Sequence, residues 1–152
     1  MKLSDAAYES LEGDMMAGNT TLGGNCSVGL AMVAPPNRPQ SLSDITEANF
    51  TGYGRISLPT PSAPYKHQSG EIGMTCPSVV FAATAPAGNA PFVGNTIFGK
   101  FVYNETKQLL VCYEPIKPPT GVEINAPGAQ VEVVVDIGFD PNQIAGQGGD
   151  IS

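Results

Sequence analysis

Alternation of apolar and polar residues is clearest near the end of the chain, where it predicts a strand over residues 131–139. Apolar residues occupy every second position of this segment, and Glu132 and Asp136 lie between them. Successive side chains of a strand point to opposite faces of a sheet. One face of this strand is therefore predicted to join the core, and the other to be at least half exposed.

A second pattern predicts a β-hairpin in the middle of the chain. Residues 95–103 and 108–114 are rich in aromatic and β-branched residues, and the four residues between them are polar. Two such runs joined by a short polar segment are typical of a hairpin. Gly99 lies inside the first arm, where a glycine indicates a bulge or a close contact.

Shorter apolar runs predict further strands, at residues 28–33, 55–58 and 78–83. Proline-rich segments end the first two runs, because proline cannot donate to a ladder, and a turn-rich loop follows the third. Many short strands with turn signals between them predict a mainly β fold, either a β-sandwich or a jelly-roll-like barrel.

Helical spacing is confined to the first half of the chain. Leu3, Ala7, Leu11 and Met15 recur every four residues and predict a short helix over residues 3–16 that leans on the body or on a neighbouring subunit.

A single helical turn is predicted over residues 43–50. Asp44 is expected at its N-cap, and Glu47, three residues later, is expected to complete a capping box.

These elements divide the chain into three parts. Residues 1–27 are expected to form an N-terminal helix and extended arm, residues 28–141 the β-sandwich domain, and residues 142–152 a flexible glycine-rich tail. On this division, a chain without residues 1–24 still folds but assembles less well.

Composition supports the β assignment and limits the partners. The 152 residues include 18 glycines and 14 prolines, and only 14% are charged, below the roughly 25% typical of globular domains. The net charge is −7 and no cluster of Lys or Arg occurs. We therefore expect neither nucleic-acid nor membrane binding, because both use concentrated positive charge. The low charge density also indicates a surface that partners cover.

The three cysteines, Cys26, Cys76 and Cys112, are widely spaced and odd in number. Neither a disulfide framework nor a metal knuckle has this spacing. They are expected to be buried or semi-buried free thiols, or one disulfide with an unpaired third cysteine.

Catalytic patterns are weak throughout the chain. The single histidine, His67, lies in a polar loop flanked by proline, which favours a surface role over catalysis. Cys26 and Ser27 lie between glycines but lack the spacing of a nucleophile elbow. Several carboxylates follow residue 110, and nothing marks any two of them as an acid and base pair. We expect no enzyme activity, cofactor or metal.

Two segments resemble a known kind of protein. Residues 42–53, LSDITEANFTGY, resemble a stretch that recurs in small proteins encoded among the structural genes of tailed bacteriophages. Those proteins also carry a hairpin similar to residues 96–114 and a final strand like residues 130–139. The order and spacing match, and the resemblance covers residues 42–140. The helix-like and glycine-rich start of this chain departs from it, since the family begins with a strand.

The resemblance implies a β-sandwich virion protein that decorates or cements the capsid. It implies that the partners are the major capsid protein and further copies of this chain, as a homo-oligomer with a trimer as the expected form. Synthesis in the host cytoplasm and a final location on the capsid surface follow. Two alternatives stay open: a tail, baseplate or fibre protein that binds the host surface, and a small hydrolase or secreted lectin-like module.

Seven residues are the candidate partner contacts. They are apolar or aromatic side chains from the predicted helix, from residues 53–58 and from the apolar loop at residues 86–93: Leu3, Leu11, Met15, Tyr53, Ile56, Pro91 and Phe92.

Overall fold

The protein is mainly β, as predicted. A computed structural model describes residues 2–7, 10, 25–59, 65–66, 72–116 and 119–139. The strands are β1 (Lys2–Leu3), β2 (Cys26–Ala31), β3 (Ile56–Ser57), β4 (Tyr65–Lys66), β5 (Ile72–Thr75), β6 (Val79–Ala82), β7 (Asn95–Ile97), β8 (Gly99–Asn104), β9 (Leu109–Pro115), β10 (Val122–Ile124), β11 (Gln130–Val133) and β12 (Asp136–Phe139). A 3-10 helix spans Leu42–Asp44, and residues 5–7 and 10 are helical.

Eight strands form one large sheet, in the order β3-β2-β8-β9-β1-β12-β5-β4. Its neighbours run antiparallel except β1 and β12, which are parallel. The predicted hairpin, β8–β9, lies near the centre of this sheet. Its turn is fixed by the Asn104 side chain, whose Oδ1 accepts the N–H groups of Thr106 and Lys107 at 3.1 and 2.9 Å.

Two small sheets, β6–β11 and β7–β10, form a second layer. Residues 50–53 join them, because the Thr84 N–H donates to the Thr51 carbonyl and the Thr51 N–H donates to the Val93 carbonyl, both at 3.0 Å. Buried side chains of both layers share one apolar core, a sandwich-like arrangement. Its largest members include Leu30, Phe50, Ile97, Ile124 and Ile137.

The large sheet is also buried on part of its other face. A second cluster there contains Phe101, Tyr103 and Leu110, with Ile45 packed over them. A Cβ on Gly29 would lie 2.2 Å from the Phe101 ring, so only glycine leaves room for that ring. The chain between β2 and β3 is therefore held against the sheet by apolar contacts.

Two segments that are each predicted as a single strand are in fact two strands that belong to different sheets. The predicted strand 95–103 is two strands, β7 and β8, which separate at Phe98 and join different sheets. The final run keeps the predicted alternation, with Val131, Val133, Val135 and Ile137 buried. It nevertheless divides into β11 and β12, which also belong to different layers. An unbroken period of two thus predicts which side chains face the core, but not which sheet the backbone joins.

The start of the chain corrects the predicted start of the helix. Lys2 and Leu3 form a strand between β9 and β12, so the helix cannot begin at residue 3. The Leu3 side chain is fully buried in the core. The first residues are thus an interior part of the large sheet, and the predicted division of the chain at residue 27 stays a prediction. The predicted tail, residues 142–152, lies outside the described residues.

The predicted turn over residues 43–50 also differs. The 3-10 helix ends at Asp44, whose Oδ2 accepts the N–H groups of Gln40 and Ser41 at 2.9 and 3.1 Å. Asp44 therefore completes the cap rather than beginning it. Glu47 lies beyond this helix and pairs with Arg55 instead.

Candidate functional site

Four of the predicted contact residues pack within the molecule. Leu3 is fully buried, which leaves it no surface for a partner. Tyr53, Ile56 and Phe92 are partly buried and pack against the main core. The Tyr53 ring meets Phe81 in a stacked arrangement, with centroids 6.0 Å apart. Tyr53, Ile56 and Phe92 thus contribute to packing of the main core, and their role in partner contacts stays a prediction.

Of the remaining three, Pro91 is exposed on the loop that connects β6 to β7. Leu11 and Met15 lie outside the described residues, so their part of the prediction stays a prediction. The structure thus places Leu3 inside the main core and packs Tyr53, Ile56 and Phe92 against that same core.

The densest polar arrangement surrounds Arg55. Its Nε and Nη2 donate to the two carboxylate oxygens of Glu47, both at 2.8 Å, in a bidentate pair. Its Nη1 donates to Glu105 Oε1 at 2.8 Å. The guanidinium also lies over the Tyr103 ring, 4.8 Å from its centroid. We call Glu47, Tyr53, Arg55 and Glu105 the Arg55 cluster.

Tyr53 connects this cluster to the backbone of β2. Its hydroxyl accepts the Leu30 N–H at 3.0 Å and donates to Glu47 Oε1 at 2.8 Å. Burial, together with the neighbouring Glu47, raises the pKa of Tyr53. The phenol is therefore protonated at neutral pH, where its hydroxyl serves as a donor.

Both carboxylates of the cluster are held in the ionised form. Burial alone would raise the pKa of Glu47, but hydrogen bonds from Arg55 and Tyr53 and the charge of Arg55 outweigh it and lower that pKa. The pKa of Glu105 is lowered first by the Ser27 hydroxyl, which donates to it at 2.5 Å, and then by Arg55. Neither group is poised to exchange a proton near neutral pH.

The Arg55 cluster therefore holds separate parts of the fold together. It ties residues 47–55 to the turn of the β8–β9 hairpin across the edge of the large sheet. Among the described residues, no buried side-chain nitrogen or oxygen lacks a hydrogen-bond partner. Arg55 and Tyr53 likewise have their hydrogen-bond partners within the chain, as a structural cluster requires.

A surface of the opposite character covers the second layer. Val80, Ala82 and Thr84 alternate outward along and beyond β6, and the backbone of Thr51 links Thr84 to Val93. Val80 is 46% exposed and Val93 is 44% exposed. We call the surface formed by Val80, Ala82, Thr84, Pro91 and Val93 the uncharged face.

The backbone beneath the uncharged face is fixed closely. Gly52 has a φ of +90°, a conformation that favours glycine, and a Cβ there would lie 2.4 Å from Thr84 Oγ1. The Val93 N–H donates to Thr51 Oγ1 at 2.8 Å. The exposed valines are thus carried by an ordered framework, which lowers the entropic cost of binding through them.

One carboxylate lies on the same exposed side of the β6–β11 sheet as Val80. Glu132 lies directly opposite Val80 on β11 and is exposed. Next to it is a cleft of about 330 Å³ whose lining includes Lys100, Glu114 and Val134. Lys100 Nζ donates to the Val134 carbonyl at 2.6 Å and lies 3.2 Å from Glu114. The lysine is therefore already engaged within the chain.

The sequence contains a signal for the uncharged face that strand patterns do not capture. From Ile72 to Gly99 no Asp, Glu, Lys, Arg or His occurs. This run includes β6 and the loop that follows it, and much of that loop is exposed. A long exposed segment without charge is unusual in a chain whose net charge is −7.

The three cysteines are buried free thiols in the core. This confirms the first of the two predicted alternatives, in which no disulfide forms. Burial raises the pKa of Cys112 to about 12, so its nucleophilic thiolate is scarce at neutral pH. Within the described part of the chain, no three His, Cys, Asp or Glu side chains come together to hold a metal ion. His67 lies outside those residues.

Comparisons with known proteins assign no family to the chain. No family model, no curated protein and no solved structure matches it. Among the described residues, no helix has the length and apolar character needed to cross a membrane.

Proposed function

We propose that the protein is a structural virion component that decorates or cements the capsid of a tailed bacteriophage. Its partners on this proposal are the major capsid protein and further copies of itself, and it acts through protein–protein contacts on the capsid surface rather than as an enzyme.

The uncharged face is the observation that carries this proposal. It presents two large exposed valines on a fixed backbone, whereas the charges of the Arg55 cluster are satisfied within the chain. An exposed apolar surface bordered by polar residues is typical of a protein contact. The resemblance of residues 42–140 to small phage virion proteins supplies the kind of partner.

The proposal is tested with heads of the phage whose genome carries the coding sequence, prepared without this protein. Purified protein is mixed with these heads, and the mixture is separated by size. Co-migration at a fixed number of copies per capsid supports decoration. Protein that stays free of heads overturns it, and binding to tails instead transfers the protein to a tail or baseplate role.

A further inference from the structure

The strand β1 fills a slot between two strands that are far from it in sequence, β9 and β12. We infer that this slot is a binding site for an extended peptide in which leucine is followed by serine, and that residues 2–7 occupy it as a tethered, exchangeable ligand. The inference goes beyond the proposed virion role and does not rest on it, because it concerns how the large sheet is completed.

The walls of the slot are built without β1. Six residue pairs join β9 to β8, and four join β12 to β5. In the order of the large sheet, β1 is the one strand between β9 and β12, so within the described part of the chain it alone connects two blocks that each have their own ladder. Two such walls present backbone donors and acceptors to an added strand, as in sheets that bind extended peptides.

Two adjacent residues of the bound segment are recognised by their side chains. Leu3 is fully buried in the main core, and Ser4 is 2% exposed. The Ser4 N–H donates to the Val111 carbonyl at 2.7 Å, and its hydroxyl donates to the Leu110 carbonyl. The same hydroxyl accepts the Ala7 N–H at 3.1 Å and so caps the helical turn that follows. A buried apolar side chain followed by a buried hydroxyl therefore defines what the slot accepts.

Two side chains from the segment after β2 hold the backbone of residues 3–5. Arg38 donates to the Leu3 carbonyl, and Gln40 Oε1 accepts the Asp5 N–H at 3.0 Å. Both bonds are made to main-chain groups, so any peptide in the same register receives them. The slot thus combines main-chain pairing with pockets for particular side chains, the division of labour found in peptide-binding sheets.

The connection between this segment and β2 explains how so short a strand keeps its place. β1 makes three registered pairs, two with β9 and one with β12. A segment joined to its site by a linker competes at an effective concentration on the order of millimolar and needs no high affinity of its own. Cutting the chain between β1 and β2 should therefore let an added peptide of the same sequence replace the segment.

The test uses the full chain with a recognition sequence for a specific protease inserted after Gly18. The folded protein is cut and mixed with a fluorescent peptide of residues 1–7. Fluorescence anisotropy should rise to saturation, and mass spectrometry should find the original segment released. The uncut protein should bind the peptide at least about tenfold more weakly, because its tethered segment competes. Circular dichroism follows the fold before and after cutting, and an insertion after Gly13 replaces the first one if that prevents folding.

Two variant peptides that each gain an asparagine form a matched pair. Leu3→Asn puts an amide in the fully buried position and should weaken binding at least about tenfold. Asp5→Asn changes an exposed side chain, whose pair with Arg38 has a separation of 3.8 Å, and should weaken binding by less than about fivefold.

Three results would overturn the inference. The first is a cut protein that keeps its segment and never takes up the added peptide. The second is a cut protein that loses the segment, or unfolds, and neither binds the peptide nor regains its fold with it. The third is a Leu3→Asn peptide that binds as well as the unchanged sequence. Head binding is measured separately, so a slot that does not exchange leaves the virion role standing, and a slot that exchanges does not establish it.

Discussion

The Arg55 cluster and the uncharged face treat their side chains in opposite ways. In the cluster, a guanidinium makes three hydrogen bonds of 2.8 Å to two carboxylates, and a tyrosine hydroxyl both accepts and donates. On the uncharged face, valines that could be core residues stand in water. The polar groups of the Arg55 cluster have their partners within the fold, whereas much of the surface of the exposed valines stays uncovered.

This difference separates stability from recognition. A cluster whose hydrogen bonds are all made stabilises the fold, because removing one member leaves the others without their hydrogen-bond partner. Such a cluster offers few groups to another protein. An exposed apolar surface contributes little to folding and retains its favourable burial for a partner. Substitutions in the two regions should therefore change different measured quantities.

The largest effect is expected for Arg55→Ala. The change leaves Glu47 and Glu105 without their shared cation and removes the contact with Tyr103, so the free energy of unfolding should fall by about 2–4 kcal/mol. Urea unfolding at pH 7 measures it. Asp5→Ala is the control: it removes the exposed pair with Arg38, which has a 3.8 Å separation, while Arg38 keeps its hydrogen bond to the Leu3 carbonyl, and it should cost about 1 kcal/mol or less. Equal losses would show that the cluster is no stronger than a surface pair.

Tyr53→Phe should have the next largest effect. It keeps the ring that packs on Phe50 and Phe81 and removes the hydroxyl. The Leu30 N–H then loses its acceptor and Glu47 loses a donor, which should cost about 1–2 kcal/mol. The urea midpoint measures the loss. An unchanged midpoint would mean that water replaces the hydroxyl without penalty.

Acid should weaken the cluster selectively. The pKa values of Glu47 and Glu105 are lowered on folding, so their contribution is present above the ordinary value of 4.5 and is lost as the pH falls through the lower folded values. Arg55→Ala should therefore show a smaller loss of stability than wild type between pH 6 and that acid range. Asp44, whose pKa is lowered by backbone N–H groups, affects both proteins alike. Parallel pH profiles would contradict the assignment.

The smallest effect on folding is expected on the uncharged face. Val80→Lys and Val93→Glu place charges on exposed positions, and Lys at position 80 faces Glu132 across the strands. Each should change the free energy of unfolding by no more than about 0.5 kcal/mol. Thermal unfolding at low protein concentration measures it. A loss as large as that of Tyr53→Phe would show that these valines already belong to the core.

The sequence predicted the parts of the fold that local patterns determine. The hairpin β8–β9 follows from two runs of aromatic and β-branched residues around a polar turn, and the alternating burial from Val131 to Ile137 follows from a period of two. The close contact expected at Gly99 is present, since a Cβ there would lie 2.2 Å from the Tyr113 hydroxyl. Each of these features depends on residues that are near in sequence or on a strong strand preference.

The remaining features depend on partners far away in sequence. Strands β1, β4, β5 and β10 have two to four residues, and their pairing partners decide whether they form. Leu3 has a helical spacing to later residues, yet β9 and β12 bind it as a strand. Arg55 likewise meets Glu105 only because β3, β2 and β8 are neighbours.

The salt dependence of self-association tests the central claim most directly. Salt shortens the range of charge repulsion, from about 10 Å at 0.1 M to about 3 Å at 1 M. Salt also strengthens the burial of apolar surface in general. If copies of this acidic chain meet through the uncharged face, sedimentation equilibrium should show tighter association as sodium chloride is raised. Association that weakens with salt would show that ion pairs hold the copies together, and would contradict the account.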